Sequence, residues 1–152
     1  MNDSMEIDEV DSSILRLLRE NARMSFTEMA RRSGISDATI QNRLKRMRER
    51  GVVERFTVMA NPEATGYTVT AIMLLQTDSE KHDDAKQALS VLPEVSEVYS
   101  VLGEYDLFIK VWAKSLEELN RTINDDIRSV DGVEDLLEIV AVERVKEEAP
   151  PV

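Results

Sequence analysis

The side chains best suited to chemistry lie between residues 31 and 55, where eight lysines and arginines accompany three acidic residues. Near the centre of this block, residues 37–43 carry carboxylate, hydroxyl, amide and guanidinium groups in close succession. Amide and guanidinium groups bind base edges in the major groove, and cationic side chains bind phosphates. The block therefore predicts a DNA interface, although a basic helix face is also what a merely solvated helix presents.

The candidate DNA-binding residues share one predicted helix and its cap: Ser36, Asp37, Ala38, Thr39, Gln41, Asn42, Arg43, Lys45, Arg46, Arg48 and Arg50. We expect Ala38 or the Thr39 methyl group to contact a thymine methyl group. Gln41 or Asn42 suits adenine, and Arg43 or Arg46 suits guanine or phosphate. The remaining cations form a basic stripe for phosphates. Asp37 is unusual on such a surface and is expected to stabilise the helix N-terminus.

A second group of polar residues follows a predicted strand, in the sequence Leu102-Gly103-Glu104-Tyr105-Asp106. Gly103 permits a tight turn or the close approach of a backbone. The two carboxylates beside it can bind the ammonium group of an amino acid, or they can be solvated residues of a hairpin. From the residues alone the hairpin interpretation is favoured.

Catalytic chemistry has almost no support in the sequence. The chain lacks cysteine, which excludes disulfides, thiol catalysis and a zinc finger. His82 is the only histidine and is expected at an exposed helix start, rather than as a metal ligand or base. No glycine-rich phosphate loop or nucleophile motif is present. We therefore expect no enzyme activity, no cofactor and no metal.

Charge is distributed unevenly along the chain. The net charge is −11, yet residues 1–60 carry eleven basic and ten acidic side chains, so the acid is concentrated in the C-terminal part. A local basic face can still bind phosphates, because salt screens exposed charges beyond about 10 Å. No run of 18 apolar residues is present and the start is acidic and polar, so we expect a cytoplasmic protein that neither spans a membrane nor carries a signal peptide.

Three helices are predicted to position the basic block. Asp8 caps the first helix. A capping box from Ser25 to Glu28 begins the second helix, which continues through Arg32. Ser36 caps the third helix, which ends at Gly51. Gly34 lies between the second and third helices, where a short turn presents the third helix to the major groove. Residues 52–59 are rich in β-forming side chains and are predicted as an extended strand.

The C-terminal part alternates between strand and helix patterns. Strands are predicted over 69–77, 95–101, 105–113 and 133–146, with helices over 79–92 and from the capping box Ser115–Glu118 onward, with Leu116 facing inward. This β-α-β-β-α-β order is the ferredoxin-like pattern. Apolar residues occupy both faces of the 105–113 strand, for example Phe108 and Trp112 against Leu107 and Ile109, so a partner sheet is expected on the face without helices.

These patterns predict an α+β chain with two domains and a short tail. Residues 1–60 form the helix-turn-helix DNA-binding domain with its linker strand, residues 61–146 form the ferredoxin-like oligomerisation and effector domain, and residues 147–152 form a disordered tail.

Taken together, these residues resemble the Lrp/AsnC, or feast/famine, regulators over about residues 6–146. The stretches that carry the resemblance are Ile7 to Asp11, Ile14-Leu15, Gly34-Ile35-Ser36, Arg43-Leu44, Arg50 to Val53, Asn61-Pro62, Gly66 and Gly103 to Asp106. The resemblance implies a winged-type helix-turn-helix domain, a ferredoxin-like domain and regulation of amino-acid metabolism. It also implies dimers that pair sheet to sheet, pairing of strand 52–59 between chains, and assembly into octamers or other rings.

The resemblance further implies an effector pocket near the glycine-aspartate turn and the last strand. Gly103, Tyr105 and Asp106 match that pattern. Leu136 and Glu138 stand where many members have threonines, so the usual pocket is altered. Our hypotheses are that Glu138 selects a basic amino acid, that the pocket is unused, or that Glu138 merely points outward from its strand.

The leading interpretation is a sequence-specific regulator that binds double-stranded DNA as a dimer or a higher assembly and responds to an amino-acid effector. A general DNA-organising protein is an alternative, which would bind specific and random DNA almost equally. An effector-sensing module that regulates an enzyme is a third, which would fail to bind DNA at low salt.

Overall fold

The computed structural model describes residues 6–151, which fall into two compact units. One unit runs to Met59 and also includes the residues from Glu148 onward, and the other spans Ala60–Glu147. The domain limits taken from the sequence, after residues 60 and 146, and the disorder assigned to 147–152 stay predictions.

Three helices build the N-terminal unit: α1 Glu9–Glu20, α2 Phe26–Ser33 and α3 Asp37–Glu49. Each contributes apolar side chains to one small core, whose fully or nearly buried members are Ile14, Met29, Ile40, Leu44 and Met47. In α3 the spacing of Ile40, Leu44 and Met47 at four and three positions places these residues on one face of the helix. The three predicted helices are therefore confirmed.

Side-chain caps fix where the helices begin. The Asp11 amide donates to Asp8 Oδ1 at 2.9 Å, and the Asp8 amide donates to Asp11 Oδ2 at 3.4 Å, which is a complete capping box. Ser25 accepts from the Glu28 amide, but the Glu28 carboxylate binds Arg31 instead of the Ser25 amide. Only half of the capping box predicted for α2 is therefore present.

The strand predicted over residues 52–59 does not form in this chain. Residues 54–61 have no assigned helix or strand, and Phe56, Val58 and Met59 are exposed. A β-strand requires a hydrogen-bonded neighbour, and no strand in the described part of the chain pairs with this segment. β-forming side chains alone were therefore not sufficient, and pairing of this segment with a second chain stays a prediction.

A four-stranded antiparallel sheet forms the centre of the C-terminal unit. Its strands are β1 Val69–Thr77, β2 Val95–Ser100, β3 Leu107–Ala113 and β4 Val133–Ala141, in the order β2-β3-β1-β4. Helix α4, His82–Ser90, and helix α5, Leu116–Arg121, complete the β-α-β-β-α-β order. The predicted ferredoxin-like arrangement is confirmed.

Helix α4 and strands β3 and β4 differ from their predicted bounds by two or more residues, for local reasons. Helix α4 starts at His82 and not at residue 79, because Asp78 Oδ1 accepts from the Glu80 amide at 2.7 Å and holds residues 78–81 in a turn. Strand β4 ends at Ala141, which pairs with Thr70 at the start of β1, so the β1–β4 pairing stops before residues 142–146. Strand β3 begins at Leu107, two residues later than predicted, after the turn.

Helix α5 also departs from the single regular helix predicted. It continues from Thr122 to Ile127 as a π-helical turn, and Leu116 is exposed rather than directed inward. Ile123 and Ile127 are buried in the core, so the wider turn still presents its apolar side to the sheet.

No helix in the described part of the chain combines the length and the apolar character needed to cross a membrane.

The two faces of the sheet have different surroundings. Leu107, Ile109 and Val111 of β3 are fully buried among residues of the helices. On the opposite face, Tyr99, Leu137 and Ile139 are 54%, 43% and 45% exposed, and no helix among residues 6–151 covers them. We call this opposite face the open face. Its apolar character is the feature that the alternating sequence predicted.

Gly132 tests the contact between the start of β4 and the turn before α4. Its φ is +94°, and a Cβ atom there would lie 2.7 Å from Lys81 Cβ. Gly132→Ala is expected to lower the free energy of unfolding by more than about 1 kcal/mol, because it adds a clash to backbone strain. The measurement is chemical unfolding, with Gly66→Ala as control, since Gly66 has φ +87° and open space around it. Equal losses in the two variants would contradict the clash.

Candidate nucleic-acid interface and effector site

The turn between α2 and α3 has the geometry of a helix-turn-helix. Gly34 adopts the left-handed conformation at φ 73° and closes α2 by donating to the Ala30 carbonyl oxygen at 2.9 Å. Two residues later, Ser36 accepts from the Thr39 amide at 3.1 Å and begins α3. A residue with a side chain is strained in the left-handed conformation, so glycine allows this turn to be short. The predicted glycine turn and serine cap are confirmed.

Helix α3 has an apolar side and a polar side. Ile40, Leu44 and Met47 are buried, while Ala38 and Asn42 are exposed on the far side. Residues four apart lie on one helix face, so Arg46 continues the row formed by Ala38 and Asn42. This exposed row contains side chains of the types that contact base edges.

Basic side chains flank that row. Lys45 lies 3.8 Å from Glu49 in an exposed pair one turn apart, and such pairs contribute little to stability. Among the residues described, neither Arg46 nor Arg48 makes an ion pair, so both are available to phosphates. Arg50 donates to the Glu6 carbonyl oxygen at 2.5 Å. Of the predicted basic stripe, Lys45 and Arg48 are exposed on α3 and Arg50 has a partner before α1, and the binding of phosphates by these residues stays a prediction.

Arg43 is directed towards α1. Its Nη1 lies 2.5 Å from Asp8 Oδ2 and 3.4 Å from Asp11 Oδ1, and the Asp11 side chain is only 4% exposed. The hydrogen bond from the Asp11 amide, followed by that from Arg43, holds the pKa of Asp8 below its ordinary value. Arg43 thus joins α3 to the cap of α1. A role for Arg43 in reading bases stays a prediction, and this geometry gives the residue a separate structural role.

Asp37 also has partners within the protein. Its Oδ2 accepts from Thr27 Oγ1 of α2 at 3.4 Å, and its Oδ1 accepts from Gln41 Nε2 one turn along α3. The expected position of Asp37 in the first turn of α3 is confirmed. The link to Gln41 was not predicted, although the spacing of four residues in a helix would have allowed it.

The candidate effector turn lies between β2 and β3. Asp106 Oδ2 accepts from the Thr77 amide at 2.8 Å and lies 3.3 Å from Thr77 Oγ1, at the irregular end of β1. Tyr105 is half-buried and Gly103 is exposed. The Asp106 carboxylate therefore fastens the turn to β1, which is a structural role in addition to any contact with a ligand.

Leu136 lies towards the same end of the sheet as this turn, whereas Glu138 pairs with Met73 at the middle of β1. Leu136 pairs with Leu75 of β1, and Leu75 also pairs with Leu107, the residue after Asp106. Strand β1 thus separates the two groups by two strand spacings, roughly 9.6 Å. Leu136 packs against the core, whereas Glu138 is exposed. Gly103, Tyr105, Asp106 and Leu136 therefore lie towards one end of the sheet, with β1 between the turn and β4, and Glu138 lies further along β4.

His82 also lies in this region, whereas its sequence context predicts an exposed surface residue. It is half-buried at the start of α4, with Nδ1 2.9 Å from Thr77 Oγ1 and Nε2 3.3 Å from Ser100 Oγ. A polar chain therefore runs from Asp106 through Thr77 and His82 to Ser100. No local pattern pointed to it, because its members come from β1, α4, β2 and the turn.

Two family models match the chain. The AsnC-type helix-turn-helix domain matches residues 7–48, and the Lrp/AsnC ligand binding domain matches residues 70–151. The first match covers α1, α2 and all but the last residue of α3, and the second covers all but the first residue of the sheet together with both candidate effector segments.

Named relatives and solved structures agree with these matches. The HTH-type transcriptional regulator FL11 of Pyrococcus furiosus is 36% identical over 128 residues, which is 84% of each chain. The structure of E. coli AsnC superimposes with a TM-score of 0.88 at 27% identity, covering 97% of this chain and 99% of that one. A Neisseria meningitidis transcriptional regulator solved as an L-Met complex has a TM-score of 0.86 at 22% identity, over 94% of each chain, which shows the shared fold.

The Asp8 contacts give a pH-dependent prediction. The pKa of Asp8 is lowered in the folded chain, so its ionised form stabilises the fold above its ordinary pKa, and this contribution disappears as the pH falls through the lowered value. Asp8→Asn keeps a capping side chain but loses the charge. Its melting temperature should fall below that of the wild type at pH 7, and the gap should close below about pH 4. Asp125→Asn, an exposed residue, is the control, and a gap that persists in acid would contradict the prediction.

Proposed function

Since the chain belongs to the Lrp/AsnC family of DNA-binding transcriptional regulators, we propose that it controls amino-acid metabolism genes by sequence-specific DNA binding under the influence of a small effector. The family and its named relatives are transcriptional regulators, not enzymes. The observation that carries the proposal is the glycine turn that precedes a serine-capped helix with exposed polar and basic side chains.

Base reading and phosphate binding are assigned to different side chains of α3. Ala38 and Asn42 are exposed in the row opposite the buried residues, and this supports their contact with base edges. Lys45 and Arg48 line an open groove of about 590 Å³ in the same unit, with Phe26 and Leu44 as its apolar part. Cations beside the base-reading row are suited to phosphates, which fix the register of a protein on the duplex.

The open face supports self-association. It exposes large apolar side chains of two strands, and its central strand β3 contributes Phe108 and Trp112, which are half-buried. Apolar faces of this kind are covered in stable assemblies. We assign the cover to a second copy of the chain, with octamers or other assemblies of dimers as the larger form. A dimer would present two recognition helices to a roughly palindromic site.

The effector is assigned to the region that contains the 103–106 turn and β4. The related Neisseria protein was solved with L-Met, which supports an amino acid as the chemical class. In this chain Glu138 of β4 is exposed and would attract a positively charged side chain of the amino acid. We therefore propose a basic amino acid as the effector. The DNA partner also implies a cytoplasmic location.

The first test concerns the DNA contacts. Lys45→Ala and Arg48→Ala should weaken specific and random duplexes by about the same factor and should each reduce the slope of log affinity against log salt by about one. Arg43→Ala serves as the comparison. If Arg43 reads a base, its loss weakens the specific duplex more than the random one, and equal losses remove it from the base-reading set. Binding to no duplex at low salt would contradict the proposed function.

The second test concerns the effector. Melting temperature is measured with each of the twenty amino acids at millimolar concentration, since a ligand at 100 times its Kd adds about 2.7 kcal/mol to stability. Lysine or arginine is expected to raise the melting temperature of the wild type, and Glu138→Thr should abolish that shift. Glu143→Thr, beyond the end of β4, should leave it unchanged. A shift with apolar amino acids alone would contradict the role of Glu138.

A further inference from the structure

A carboxylate begins the helix that is proposed to enter the major groove. Asp37 is the first residue of α3 and is only partly buried. A negative charge near phosphates opposes DNA binding, although it interacts favourably with the helix N-terminus. Its contacts suggest a further reason for its presence.

Both oxygens of this carboxylate accept hydrogen bonds from protein side chains. Thr27 of α2 donates to Oδ2 at 3.4 Å, and Gln41 donates through Nε2 to Oδ1. The side chain therefore joins α2 to α3 and at the same time contacts a candidate base-reading residue. Gln41 is exposed and lies along the same groove as Lys45 and Arg48.

The contact determines which way round the Gln41 amide lies. A carboxylate can only accept, so the nitrogen of the amide must face Asp37 and the oxygen must face away. The second N–H of Nε2 stays unused by this contact. Gln41 is thus held with one acceptor and one donor for an outside partner.

One acceptor beside one donor is the pattern that matches adenine. Adenine offers the N6 amino group and N7 in the major groove, whereas guanine offers two acceptors, O6 and N7. A glutamine held in this orientation places its oxygen against O6 of guanine, which is repulsive. A glutamine that can turn its amide offers both N–H groups to guanine instead.

We propose that Asp37 is a positioning residue that fixes the Gln41 amide and thereby makes Gln41 select adenine over guanine at one position of the target DNA. The inference rests on the proposed function, because it assigns the origin of part of its sequence specificity. Asp37 itself touches no base in this arrangement.

The experiment uses the full chain and duplexes selected from a random pool by the wild-type protein. Gln41→Ala first identifies the position whose preference it removes. At that position the wild type should prefer adenine to guanine by about fivefold or more. Asp37→Ala should reduce that preference to about twofold or less, while affinity for random duplex is kept or rises, because a negative charge has been removed.

Two controls separate positioning from other roles. Thr27→Val removes the second contact of Asp37 but leaves the contact with Gln41, so the adenine preference should be kept. In the Gln41→Ala background, Asp37→Ala should cause no further change in preference. Melting temperatures verify folding, and Asp37→Ser, which retains a side-chain oxygen at this position, replaces Asp37→Ala if that variant does not fold.

Three results would overturn the inference. The first is an adenine preference unchanged in Asp37→Ala. The second is a change of preference by Asp37→Ala that persists without Gln41, which would indicate a direct base contact of Asp37. The third is that the wild type shows base preferences in the selected duplexes but Gln41→Ala removes none of them. If the wild type shows no base preference anywhere, the proposed sequence-specific function itself fails.

Discussion

A strand with apolar side chains on both faces is stable only when both faces are shielded from water. Strand β1 of the C-terminal unit is such a strand. Its residues Ala71, Met73 and Leu75 are fully buried under the helices, while Ile72 and Leu74 alternate towards the open face. β3 and β4 pair with β1 edge to edge in the same sheet, so neither of them can pack against a face of β1. The two helices cover only one face of the sheet. The apolar residues of the other face are removed from water only when a second apolar surface packs against them.

Both candidate sites contain a carboxylate that already has partners. Asp106 accepts from Thr77 at the end of β1, and Asp37 accepts from Thr27 and Gln41 at the start of α3. In each case a short acidic side chain fastens a turn or a helix start to a neighbouring element. Preorganised side chains bind with a smaller loss of conformational freedom, so such links favour precise recognition.

Local and periodic features of the fold were predictable, and long-range partners were not. Alternation predicted both ends of β1 correctly, and the caps at Asp8 and Ser36 followed from short-range hydrogen bonds. The absent strand at 52–59 depended on a neighbour that composition does not reveal. The pairing of Arg43 with Asp8, 35 positions away in sequence, and the environment of His82 depended on tertiary packing.

The link from Arg43 to the α1 cap has a consequence for how such regulators diverge. Because Asp11 is buried, a change at Arg43 would leave a carboxylate without its cation and would weaken the packing of α3. Ala38, Asn42 and Arg46 have no comparable ion pair with a buried carboxylate among the described residues. Duplicated copies of such a regulator would therefore acquire new DNA target sequences by substitutions along that exposed row. Arg43 and its two aspartates would be substituted only together.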